Sequence, residues 1–371
     1  MKYLIVSIAA SCIFFTSALA QQNARLNLQK PKKFEDKQLA AEKTGDKKYT
    51  IPRSFIQNTI THYNYYFNAN TKLDQVIALA KASFKDDYTQ LLSFYNYSPE
   101  GTAQFREDLD SVIYKATAGI LLHDLRTNWV DNLYLLIGKA YYLRNDPDSA
   151  YITFQYLNYA FSPKEKDGYD KVIGSNANRD DGGSVLSVST KENNSLLHKV
   201  TSRPPSRNES FIWQIRTYLA RDRFTEAAVL IETLKYDPLF PRRLYSSLEE
   251  MQALYFYKQS MYDSAAVHLE GALSNAETSQ ERARWEYLAA QLYERAGKHD
   301  LAKKFYNNAN KHTIDPLLEV YSILNALRQD GSATDKNDVQ HAIDGLTKMA
   351  GKDKYAAFRD IIYYTAAMIA A

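Results

Sequence analysis

Cysteine is nearly absent from this chain: Cys12 is the only one in 371 residues. A chain with one thiol forms no internal disulfide, so its stability must come from packing, which a chain of this length can supply. Long apolar runs are equally scarce. Beyond the first 20 residues, none approaches the roughly 20 consecutive apolar residues that span a bilayer. Charge of one sign is missing too: 46 basic residues face 43 acidic ones, and a balance of +3 gives no argument for a nucleic-acid partner. The recognisable motifs of catalysis are also lacking. There is no P-loop, no G-x-S-x-G and no dinucleotide fingerprint. The seven histidines (His62, His123, His198, His268, His299, His312, His341) include no pair at metal-ligand spacing. Asp180-Asp181-Gly182 lacks the acidic ladder and terminal glutamate of a calcium loop. His123-Asp124 followed by Arg126 has the wrong order for a kinase catalytic loop, and we read both side chains as solvated or capping. The expectation is a protein that is not an enzyme and carries no cofactor or metal.

The chain opens as an export signal. Lys2 supplies the charge, Tyr3 to Phe15 the apolar stretch, and Ala18-Leu19-Ala20 the small residues before a cleavage at Gln21. Ala9-Ala10-Ser11-Cys12 resembles a lipoprotein processing site, with Cys12 as the residue lipidated. The apolar segment before Cys12 is short, however, and signal character continues to Ala20, which favours the cut at Gln21 and a mature chain without cysteine. Residues 21–52 hold eight basic and four acidic residues, a local excess of +4 that leaves the body near −2. With few large apolar side chains to offset ordering entropy, this stretch reads as a flexible basic linker.

What the chain does contain is a recurring spacing. Ala290, Tyr293, Ala302, Tyr306 and Ala309 follow one another at offsets that recur as Ala253, Phe256, Ala265, Leu269, Ala272, as Ile215, Tyr218, Ala227, Ile231, Leu234, and as Gly138, Tyr141, Ala150, Phe154, Leu157. Small, aromatic, small at these intervals is the skeleton of a tetratricopeptide repeat, two antiparallel helices whose small residues let the backbones close up while a ring fills the volume beside them. One such pair cannot bury its apolar face alone, so pairs stack. The fold class expected is an all-α tetratricopeptide-repeat helical solenoid with one long polar insert.

The segments expected are a signal peptide (1–20), the linker (21–52), an N-terminal helical region (53–162), the polar insert (163–207), three helix pairs (208–314) and further pairs (315–371). In the N-terminal region, the aromatic-rich stretch Phe55 to Asn68 and the periodic stretch Leu73 to Phe84 look like a degenerate first pair, with helices at Leu109–Leu125 and Trp129–Tyr142 to follow. The insert is either an ordered binding loop or a disordered excursion, and Ser184 to Thr190 within it has strand character. Pro316–Leu327 and Val339–Met349 read as one more pair. Tyr355 to Ala371 reads as a first helix without a second to cover it, which suggests a truncated chain or a partner over that end. Of the 29 tyrosines, those in the repeat skeleton are assigned to packing, whereas Tyr63, Tyr65, Tyr66, Tyr142 and Tyr159 cannot all face one core and suit an interface.

Four strings go further: Thr61-His62-Tyr63-Asn64-Tyr65-Tyr66-Phe67-Asn68, Trp129-Val130-Asp131-Asn132-Leu133-Tyr134, Pro204-Pro205-Ser206-Arg207-Asn208 and Phe358-Arg359-Asp360-Ile361-Ile362-Tyr363-Tyr364. With them the chain resembles the SprE/PorW group, tetratricopeptide-repeat proteins of type IX secretion and gliding motility. The resemblance implies a non-catalytic periplasmic scaffold associated with the outer membrane, whose partners are envelope proteins of a secretion machine, namely the outer-membrane translocon and periplasmic ring components. Members are typically lipoproteins and longer than this chain. A second reading is a SusD-like glycan-binding outer-membrane protein, which also uses such helices and would bind sugar on an aromatic platform. A third, an envelope enzyme such as a lytic transglycosylase, needs a compact catalytic domain for which no segment is left.

Overall fold

The computed structural model describes residues 28, 38–46, 48–162, 187–192, 204–329 and 336–370. The expected signal peptide, Cys12, Asp180–Gly183 and most of the insert lie outside these residues. Among the described residues the protein is all-α, built from packed consecutive helix pairs with no strand.

The chain divides into two compact units. The first holds residues up to Ser83, Tyr97–Arg223 and Tyr236–Pro241; the second holds Phe84–Asn96, Phe224–Lys235 and everything from Arg242. The first unit contains α1 (Ile51–Ile60), α2 (Asn68–Ser83), α3 (Arg106–Leu121), α4 (Val130–Leu143), α5 (Pro147–Ala160) and α6 (Ser206–Ala220). The second contains α7 (Phe224–Lys235), α8 (Tyr245–Lys258), α9 (Tyr262–Ala272), α10 (Ser279–Arg295), α11 (His299–His312), α12 (Pro316–Arg328), α13 (Lys336–Ala350) and α14 (Arg359–Ala370).

The repeat spacing has a structural counterpart that the sequence did not announce. Among the described residues, Asn145, Asp222, Ser260 and Gly297 have positive φ, at 60°, 53°, 59° and 73°. Each stands five positions before the alanine that opens a second helix: Ala150, Ala227, Ala265 and Ala302. In each turn the next residue's N–H reaches back to the aromatic of the first helix: Asp146 N to Tyr141 O (2.9 Å), Arg223 N to Tyr218 O (2.9 Å), Met261 N to Phe256 O (3.0 Å) and Lys298 N to Tyr293 O (2.9 Å). One left-handed residue closing a helix with this long reach-back bond is a Schellman-type cap. The same turn therefore follows the first helix in all four copies.

Packing follows the spacing closely. Ala150, Ala227, Ala253, Ala265, Ala272, Ala290, Ala302 and Ala309 are fully buried, as are Phe154 and Tyr306, with Tyr293 and Tyr218 nearly so. Tyr141 and Phe256 are half-buried, and Phe256 stacks on His268 with ring centroids 5.3 Å apart. Gly138 shows why a small residue is needed on the first helix: a Cβ there would lie 2.4 Å from the Phe154 ring.

Several expectations are corrected. The stretch Phe55–Phe84 is not a helix pair. It is one continuous helical run, α1 passing through a π-helical segment, Thr61–Phe67, into α2, because nothing between Phe55 and Ser83 is glycine or proline to break it. The linker is not wholly free, since Leu39 is buried and residues 40–46 turn over the end of α3, with Ala41 N bonded to Leu121 O. Residues 187–190 form no strand: Ser189 is a bend, and the Val188, Ser189 and Thr190 N–H groups are taken by side chains rather than by a neighbouring backbone. The boundary between units falls between α6 and α7, the two halves of the pair expected from Ile215 to Leu234. In the second unit α14 buries Ile362, Thr365 and Ala366 against α12 and α13, and leaves Tyr363, Tyr364 and Met368 exposed.

Candidate functional site

The strongest candidate surface lies in the first unit, where α1 and the π-helical segment meet the turn between α3 and α4. No residue of α1 is buried. Ile51, Phe55, Ile56 and Ile60 are exposed, Phe55 by 73%, and Tyr63 and Phe67 continue the apolar row beyond them. Beside this row is a cleft of about 560 Å³ lined by Tyr49, Phe55, Asn58, His62, Tyr63 and Trp129, among others. The π-helical turn places His62 flat on Trp129, with centroids 4.0 Å apart and planes at 12°, while Tyr66 packs against the same indole at 4.8 Å. Single turns of π-helix inside α-helices recur at functional sites because the wider turn re-aims side chains.

The rigidity of this cleft comes from a buried polar knot. Asp124 is fully buried on the turn between α3 and α4. It accepts two hydrogen bonds at 2.8 Å from the Arg126 guanidinium and one at 3.3 Å from Arg53 of α1. Hydrogen bonds from Arg126 hold its carboxyl below the usual carboxylate range, against the opposing effect of burial. Gln57 accepts the Asp124 N–H and Asn58 accepts the Asn128 N–H at 2.7 Å, so α1 is tied along the turn. His123 is buried as well, with Nδ1 3.0 Å from Gly119 O, and burial pushes its pKa down. The reading of His123 and Asp124 as solvated or capping is thereby corrected: both are buried, His123 against Gly119 O and Asp124 under Arg126 two positions on, with Arg53, 71 positions away, as a further donor.

The tyrosines expected at an interface separate into two groups. Tyr63 and Tyr159 are exposed, whereas Tyr66 and Tyr142 are buried and Tyr65 is half-buried. Tyr142 belongs to a cage with Trp213 and Tyr97 around the Arg216 guanidinium, each ring centroid 5.0–5.4 Å from it.

Three further histidines have polar side-chain partners. His268 contacts Glu249 and His312 contacts the buried Glu286, both at 2.6 Å, and His299 lies 2.7 Å from Gln329. Among the described residues no group of three or more His, Cys, Asp or Glu could hold a metal ion, and no helix is long and apolar enough to cross a membrane. The repeat-core residues Gly138 to Ala309 lie in helix interfaces rather than in the cleft.

No protein-family model matches the chain. A search of curated proteins also finds no relative.

Proposed function

We propose that the protein is a non-catalytic tetratricopeptide-repeat scaffold, exported and associated with the outer membrane, that holds components of a type IX secretion or gliding machine. The observation that carries this reading is the α1 surface: an apolar helix face next to a rigid aromatic cleft, mounted on stacked helix pairs. Contiguous apolar surface of this kind, rimmed by Asn58, Asn64, Asn68 and Asn128, suits a protein partner. Aromatic anchors set in a pre-formed pocket are the usual centre of such an interface. The repeated turn supports the architecture, and the resemblance of the four strings to the SprE/PorW group suggests the setting.

The test is cross-linking and pull-down from bacterial envelopes with the wild-type chain and with Phe55→Ser/Tyr63→Ser. Both positions are exposed, so the double variant should keep its melting temperature. We expect the wild type to capture an outer-membrane translocon or periplasmic ring component and the variant to lose it. Capture of neither by the wild type, or equal capture by both, would overturn the reading.

The cleft also favours a second reading, a SusD-like glycan site, because stacked aromatic rings flanked by the Asn58 and Asn128 amides resemble a sugar platform. Oligosaccharide binding by calorimetry that disappears in Tyr63→Ala would favour it over the scaffold.

A further inference from the structure

The second unit holds an irregular piece of its own chain, turned at Asp87–Gln90 where Gln90 N–H donates to Asp87 O (3.1 Å), as a groove holds a peptide. Between Phe84 and Asn96 the backbone forms neither helix nor strand. Its carbonyls are taken one after another by side chains of α8 and α10. Tyr287 Oη donates to Tyr88 O (2.9 Å), Gln291 Nε2 to Gln90 O (2.7 Å) and Tyr257 Oη to Leu92 O (2.9 Å). Arg284 donates to Ser93 O (2.8 Å) and Phe94 O (3.1 Å), and Gln291 Oε1 accepts the Leu92 N–H at 3.0 Å. The same Arg284 grips Asp86 with two parallel bonds at 2.7 and 2.8 Å, and Glu250 accepts from Tyr95 Oη at 2.6 Å. Tyr88, Leu92 and Phe94 are buried as anchors, Tyr88 edge-on to Tyr287 and Phe94 edge-on to Tyr257.

Two properties set this apart from ordinary loop packing. Many of the polar contacts on the segment reach its main chain, so they would serve any peptide that takes the same turned backbone, and the buried or ion-paired anchors are Asp-x-Tyr-x-x-x-Leu-x-Phe. The helix side is pre-organised: Tyr287 is also held by Asn325 at 2.6 Å, and Arg284 is buried within α10. Main-chain hydrogen bonds for affinity and side-chain pockets for specificity are how binding grooves read peptides.

We propose that the α8–α10 face is a peptide-binding site whose resident ligand is the chain's own Asp86–Tyr95 segment, displaceable by a peptide of the same pattern that takes the same turn: an acidic residue, an aromatic two positions on, then leucine and an aromatic. The proposal rests on the scaffold reading and gives it a second docking site, gated by the segment. Tethering at both ends gives the segment a high effective concentration, so a peptide in trans binds weakly until the segment is released.

The test uses the full chain and a fluorescein-labelled synthetic peptide with the sequence of residues 84–96. In Asp86→Ala/Tyr88→Ala/Phe94→Ala the groove is vacated, and peptide affinity should rise at least about tenfold over the wild type. Adding Gln291→Ala to that variant should weaken it again. A folded triple variant that does not bind the peptide, or a wild type that binds it equally well, overturns the proposal. Where the triple variant fails to fold, hydrogen exchange of the wild type decides. Peptides covering 86–95 should exchange at least about tenfold faster than those covering the centre of α10, the mark of local release; exchange only together with α10 makes the segment structural and overturns the proposal. These outcomes are independent of the envelope pull-down at the α1 surface, so either can fail alone.

Discussion

The two units share one turn and differ in how each clasps an irregular segment. In the second unit the clasp is cationic: Arg284 reads the Asp86 carboxylate and two carbonyls, and tyrosine and glutamine side chains complete it. In the first unit it is anionic. Asp237 accepts from Ser187 Oγ (2.6 Å) and from the Val188 and Ser189 N–H groups, both at 2.8 Å. Asn208 then satisfies both backbone groups of Thr190 at 2.8 Å each, and Arg207 reaches the Val188 carbonyl. The difference lies in what is left behind when a clasp is broken. Removing Arg284 strands the Asp86 carboxylate, whereas the oxygens that Arg207 holds are neutral. The lesson is that similar helical frames can hold segments with quite different robustness to mutation and pH.

Removing the arginine from each clasp gives the largest expected contrast. Arg284→Ala leaves the mostly buried Asp86 carboxylate without its partner, a loss of about 3–5 kcal/mol for a buried pair broken from one side. Arg207→Ala leaves carbonyl oxygens of Asn158 and Val188 unpaired, at about 1–3 kcal/mol. Urea unfolding of both variants against the wild type measures the difference. Equal losses would break the distinction between the clasps.

Acid sharpens the same comparison from the other side. Burial raises the pKa of Asp237, but hydrogen bonds from Ser187, Leu239 and Ser189 outweigh it, and the folded carboxyl lies below its ordinary value. A carboxyl depressed on folding contributes stability that is fully present above its unfolded pKa, about 3.9, and that is lost as pH falls towards the folded value. The 187–190 segment should therefore loosen as pH drops below about 4. Asp237→Asn should cost about 1–3 kcal/mol at neutral pH and should flatten this acid limb, read as urea midpoint against pH. An unchanged acid limb in the variant would remove Asp237 from the first unit's clasp.

The helical frame was legible in the sequence because small and aromatic residues at fixed offsets report directly on local packing. The same periodicity hid the functional features. Arg284, Tyr287 and Gln291 sit on a helix whose pattern already accounts for it, and their partners are roughly 190–200 positions away, beyond any local signal. A weak sign was available in the segment itself: Tyr88, Leu92, Phe94 and Tyr95 form an apolar cluster after α2 that neither continues the helical period nor ends in a turn motif. The α1 surface was half visible, as an excess of aromatics around Tyr63. That Tyr66 turns inward while Tyr63 faces out follows from the π-helical segment, and no residue-type preference encodes that wider turn. Asp124 was misread although its principal partner, Arg126, stood two positions on; what covers it, α1 with Arg53 and Gln57, is distant in the chain.

The shared turn supplies the smallest effect and the most direct check on what the units have in common. A left-handed residue costs an L-amino acid with a Cβ about 1–2 kcal/mol, and glycine avoids that cost while losing more entropy on folding. Gly297 already fills the position in the second unit, and Ser260 occupies its counterpart one pair earlier. Ser260→Gly should therefore stabilise by about 0.5–1 kcal/mol, and Gly297→Ala should destabilise by a similar amount. In the first unit Asn145 holds the equivalent place, and asparagine tolerates this conformation better than serine does, so Asn145→Gly should gain less than Ser260→Gly. Thermal melts of the three variants should rank them Ser260→Gly, Asn145→Gly, Gly297→Ala. If Asn145→Gly instead destabilises, the asparagine side chain has a role in the first unit's turn that its counterparts lack, and the turn is common in backbone only.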